Sequence, residues 1–156
     1  MSENGILFLH LAGVLLFVGG SIAAAVLRAA SMHRERPSEI ALLLRAIRQA
    51  VPLVAGGLVL TVGAGFWLAH RLGLALSGTW LTFTLVLIGW MVVVGAVAAR
   101  QDRATREMAE RLAGGGDRPD LELARRLRDP VNLLLNTSIL VAIVAVVALM
   151  VWKPGA

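Results

Sequence analysis

The side chains best suited to chemistry are two histidines placed in or beside apolar stretches. His10 lies within Leu9-His10-Leu11-Ala12-Gly13, and His70 ends the run Phe66-Trp67-Leu68-Ala69-His70-Arg71. A neutral imidazole is the commonest protein ligand of transition metals and a standard axial ligand of haem iron. At helical spacing His10 shares a face with Gly13, Phe17, Gly20 and Ala24, a narrow stripe of mostly small residues. Leu11, Val14, Leu15, Val18 and Ile22 cover the rest of that surface, so the stripe is expected to face a bundle interior. Gly13 leaves space beside the ring, which a neighbouring helix or the flat face of a macrocycle would fill.

The elements that hold these residues follow from composition. Of 156 residues, 58% are apolar, and the mean hydropathy is +0.78, far above an ordinary soluble domain. Charged residues make up 16% and cluster, leaving four charge-free runs at about 5–27, 50–70, 79–99 and 130–152. Each is long enough for a helix of about 30 Å, the thickness of the hydrocarbon core. In lipid a continuous apolar run can satisfy its backbone only as a helix. The fold expected is therefore all-α, a four-transmembrane-helix bundle forming a single integral membrane domain over 1–156. The remaining residues read as too few and too polar for a core of their own. There is no cysteine, which excludes disulfides, iron–sulfur clusters and thiolate zinc sites.

Charge sets the expected direction. Five arginines lie between runs one and two and eight between runs three and four, whereas only Arg71 and Lys153 fall on the other side. The positive-inside bias places both basic loops in the cytoplasm and both termini outside. Trp67, Trp80 and Trp152 fall at the outer ends of their runs, with Trp90 a mid-span exception. This orientation accounts for the net charge of +5 without a nucleic-acid partner. The first run lacks a basic leader region and exceeds the usual signal-peptide core, so it is expected to remain as a span.

In this layout His10 and His70 reach the same outer side, His70 at the boundary and His10 about a turn deeper. Two imidazoles on neighbouring helices can supply both axial ligands of a b-type haem, with Arg71 placed for a propionate and Gly13 beside the ring. A shared haem requires tilt or a sunken second helix; His10 as the only protein ligand is the alternative. Read plainly, His10 is a packed core histidine and His70 a snorkelling polar end. A bare metal is poorly served by two histidines with no nearby thiolate or carboxylate. The spans contain no Asp, Glu, Lys or Arg, which disfavours an ion pump or permease.

Other polar residues have simpler roles. Span hydroxyls can return their hydrogen bonds to the previous turn. Asn132 and Asn136 share a face and are expected to bond across helices, or else to line a polar pocket. In the basic loops Ser38 reads as an N-cap, Pro52 as a bend or first turn, and Gly114-Gly115-Gly116 as a break between two helices. Arg103–Glu107, Arg106–Glu110 and Glu122–Arg126 have ion-pair spacing, on a solvated face that also contacts anionic lipid.

The segment Leu9-His10-Leu11-Ala12-Gly13-Val14-Leu15-Leu16-Phe17-Val18-Gly19-Gly20, followed by Arg28, resembles the first helix of a group of small bacterial membrane proteins. The layout of four spans and two basic loops is similar to the predicted integral membrane proteins of domain-of-unknown-function family 2269. The first helix alone is also similar to the copper-resistance CopD membrane domain and to HemJ, the membrane protoporphyrinogen oxidase. That resemblance implies haem binding at His10. HemJ-type proteins also use an intramembrane lysine, and here no lysine precedes Lys153, so their oxidase activity is not implied.

These readings combine into a multi-pass protein of the bacterial inner (plasma) membrane that holds haem b near its outer face, through His10 and His70, for electron transfer or redox sensing. No catalytic residue is identified. Lipids are the expected partners, with a homodimer or larger membrane complex because four helices barely enclose a haem. The competing expectation is a cofactor-free structural or accessory membrane subunit.

Overall fold

A computed structural model describes residues 2–71 and 79–152. It contains α1 (Glu3–Met32), α2 (Pro37–Arg71), α3 (Thr79–Gly114), α4 (Leu121–Leu127) and α5 (Pro130–Trp152), with no strand among the described residues. Four helices are long and apolar enough to cross a membrane, and within their most apolar windows only 17–22% of residues are buried. The protein therefore leaves most of its apolar surface to lipid, as Phe8, Leu15, Val59 and Val144 illustrate by their exposure.

Local chemistry explains the helix ends. The Ser2 hydroxyl accepts from Gly5 N–H at the start of α1. Pro37 is the first residue of α2, where a missing N–H costs nothing. Ser38 thus lies inside the helix and is not its cap. Its backbone N–H and hydroxyl both donate to the Asp117 carboxylate, each at 2.7 Å. The helix passes Pro52 without interruption. Beyond α3, Gly116 (φ 122°) and Asp117 (φ 51°) take left-handed conformations that turn the chain back. Asp120 then caps α4 by accepting from Leu123 N–H at 2.9 Å.

The 36 residues of α3 extend about 54 Å, well beyond the hydrocarbon thickness of about 30 Å. Its arginine-rich end and the start of α2 project out of the apolar layer and build a second core. Ile40, Leu44 and Ile47 of α2 pack there with Ala109 of α3 and with Leu123 and Leu127 of α4. This corrects the expectation that the loops cannot form a core. Their apolar residues are few, but long helices and the three-residue stripe on α2 bring them together. Within the spans a separate cluster joins Phe17, Met91, Ala142, Ile143 and Val146. α1 lies along α2, α3 packs on α2, and α5 packs on α3. Where the two cores meet, buried Arg28 of α1 pairs with Asp102 of α3.

Candidate functional site

The site grows from a close crossing of α1 and α2. A Cβ at Gly13 would sit 2.7 Å from the Thr61 backbone nitrogen and 2.9 Å from the Gly57 carbonyl. One at Gly57 would sit 2.5 Å from the Phe17 nitrogen. Only glycine allows these backbones to come so near, the usual means by which membrane helices gain packing energy. On α2 the contact face is Gly57, Thr61 and Gly65, one helical turn apart. Gly13 is thus committed to backbone contact.

His10 is half-buried at the upper end of this crossing. Its Nδ1 lies 2.9 Å from the main-chain carbonyl of Thr61. A carbonyl only accepts, so in the neutral ring Nδ1 carries the proton and Nε2 keeps its lone pair. Gly65 makes the contact possible, since a Cβ there would be 3.2 Å from both Nδ1 and Cε1 of the imidazole. Among the described residues Nε2 makes no hydrogen bond.

Beside the imidazole is a cavity of about 250 Å³, walled by all four long helices. His10, Thr61 and Gly65 line it together with Trp80 and Thr84 of α3 and Met150 of α5. The polarity of its walls is largely spent internally: Thr61 donates to the Gly57 carbonyl and Thr84 to the Trp80 carbonyl, at 2.7 and 2.8 Å. Phe66 and Leu85 line the cavity and are also partly exposed, so it reaches the lipid-facing surface. The arrangement offers an imidazole of fixed tautomer and a thioether on the walls of one largely apolar cavity.

The other expected site residues are not drawn in. His70 and Arg71 are exposed at the end of α2 and do not line this cavity. His70 is five residues past Gly65, about 140° round the helix and about 7.5 Å further along. No group of three or more His, Cys, Asp or Glu suited to a metal ion occurs among the described residues. Asn132 and Asn136 bond within α5, Asn136 Nδ2 donating to the Asn132 carbonyl and to its Oδ1 at 2.7 and 2.9 Å. The polar bond between α3 and α5 comes instead from Trp90 Nε1 to Ser138 Oγ, at 3.3 Å. Sequence reasoning does not single out Thr61, Gly65, Trp80, Thr84 or Met150 as site residues. The signal available is the four-residue repeat of small residues at 57, 61 and 65.

Length, apolarity and glycine-mediated helix packing define a four-span integral membrane protein. The chain matches the DUF2269 family of predicted integral membrane proteins over residues 5–154, and it belongs to that family. No curated protein and no solved structure matches it.

Proposed function

We propose that the protein binds a b-type haem through His10 and serves electron transfer or redox sensing. The observation that carries this reading is the Nδ1–Thr61 carbonyl bond, which leaves Nε2 without a hydrogen bond in a residue that lines a cavity. Metal-bound histidines characteristically donate their other ring nitrogen to a carbonyl or carboxylate, which fixes the tautomer and ring orientation.

His10 and Met150 are the residues that would hold a haem iron here. Met150 lines the same cavity and brings a thioether, the partner of histidine in one common class of haem site. The placement of His70 favours His10 as the only histidine ligand. About 250 Å³ is below the usual range of about 300–1,000 Å³ for ligand sites, so a haem would need more room than the cavity alone provides. A second copy completing the site is part of this proposal. When bound, the haem would supply one-electron exchange. The chain's own residues orient the imidazole, through Thr61 and Gly65, and exclude water, through Trp80 and Ile88.

The basic bias of the two inter-span regions supports an orientation in which His10 lies toward the outside of a bacterial plasma membrane. The test is to add haemin to the purified protein in detergent and follow the difference spectrum. A saturable change at about one haem per chain or per pair of chains, lost in His10→Ala and retained in His70→Ala, supports the reading; equal responses in all three proteins contradict it.

A cofactor-free structural subunit is the second reading. The small cavity favours it, because His10 then acts as a polar clasp between α1 and α2. That role predicts a loss of stability in His10→Ala with no chromophore in either protein.

A further inference from the structure

A second cavity, of about 830 Å³, lies at the opposite end of the molecule where α3, α4 and the start of α5 meet. It sits at the boundary where the charge-free runs of α3 and α5 give way to the arginine-rich end. Arg125, Arg126 and Arg128 line it, together with Asp129 and buried Asn132. Arg126 is held by Glu122 at 3.1 Å. Arg125 and Arg128 have no carboxylate partner among the described residues, although Arg128 donates one N–H to the Met32 carbonyl at 3.2 Å. The Asp129 carboxylate is partly engaged, accepting from Val131 N–H at 3.2 Å.

Guanidinium groups suit phosphate oxygens in number and geometry, and basic pockets between spanning helices take lipid headgroups. We propose that this cavity binds the headgroup of an anionic phospholipid, with Arg125 and Arg128 holding the phosphate.

Native mass spectrometry of the detergent-solubilised full chain tests this with three probes: dioleoyl phosphatidylglycerol, dioleoyl phosphatidylcholine and inorganic phosphate. The expected result is one retained phosphatidylglycerol, with neither other probe retained. Arg125→Gln with Arg128→Gln should weaken that binding roughly 30-fold, the loss expected for two arginines at a membrane surface. Both side chains are exposed, so folding should survive, and an unchanged helical circular dichroism spectrum confirms it. Lysine at both positions should restore most of the binding. Arg48→Gln with Arg118→Gln removes the same charge away from the cavity and should cost no more than about threefold. Three outcomes overturn the proposal: equal retention of the two lipids, equal loss in the two glutamine pairs, or inorganic phosphate held as tightly as phosphatidylglycerol, which would assign the site to a soluble anion.

Discussion

The Nδ1 of His10 on α1 donates to the Thr61 carbonyl of α2 at 2.9 Å, across a cleft that only Gly65 leaves open. The bond joins two helices and fixes which ring nitrogen carries the proton. Its geometry predicts a graded set of glycine-to-alanine effects. Gly13→Ala and Gly57→Ala drive a methyl into backbone and should each cost about 1–3 kcal/mol. At Gly65 the methyl meets the imidazole, which has a cavity to move into, so the loss should be limited to the hydrogen bond, about 1 kcal/mol. Gly19 and Gly63, with nothing within 4 Å of an added Cβ, should tolerate alanine. Thermal unfolding in one detergent ranks them; a larger effect at Gly63 than at Gly13 would mean that the helices cross elsewhere.

A second prediction concerns the Arg28–Asp102 pair, whose side chains are 8% and 19% exposed. Asp102→Asn leaves a guanidinium buried without its countercharge and should cost about 3–5 kcal/mol. Replacing both partners, Arg28→Met with Asp102→Leu, removes the uncompensated charge and should recover most of that loss. Unfolding of the two variants decides it; a double replacement as destabilised as Asp102→Asn would show that the unpaired charge is not the source of the loss.

The third prediction is a pH dependence at the arginine-rich end. Donation from the Ser38 hydroxyl and backbone N–H, helped by Arg36, holds the Asp117 carboxyl below its ordinary range. A carboxyl lowered in the folded state contributes stability above its unfolded value, near 3.9, and loses it as pH falls through the folded value. Asparagine tolerates the left-handed backbone of Asp117 but lacks its charge. Asp117→Asn should therefore lower Tm at pH 7, and the gap to the wild type should close below about pH 4. A gap independent of pH would show that the carboxylate's charge plays no part.

The four spans were legible because lipid tolerates little besides long uncharged helices, and the absence of charge marks them at once. The inward stripe through His10, Gly13 and Phe17 was legible for the same periodic reason. Depth and rotation were not. Placing His70 with His10 required only that both helix ends lie on one side, whereas the five-residue step from Gly65 to His70 turns it away. The outer core was missed because its residues come from three segments, each too sparse to signal a core alone. Asn132 and Asn136 also share a face, and their four-residue spacing let them bond to each other before any neighbour.

Chromophore content after haem-replete expression tests the central claim most directly. The absorbance spectrum of the purified protein should show a Soret band at about one haem per chain or per pair of chains. His10→Ala should abolish it, His70→Ala should leave it intact, and Met150→Leu should shift its position. Absence of the band from the wild type, or a band unchanged in His10→Ala, would contradict the account.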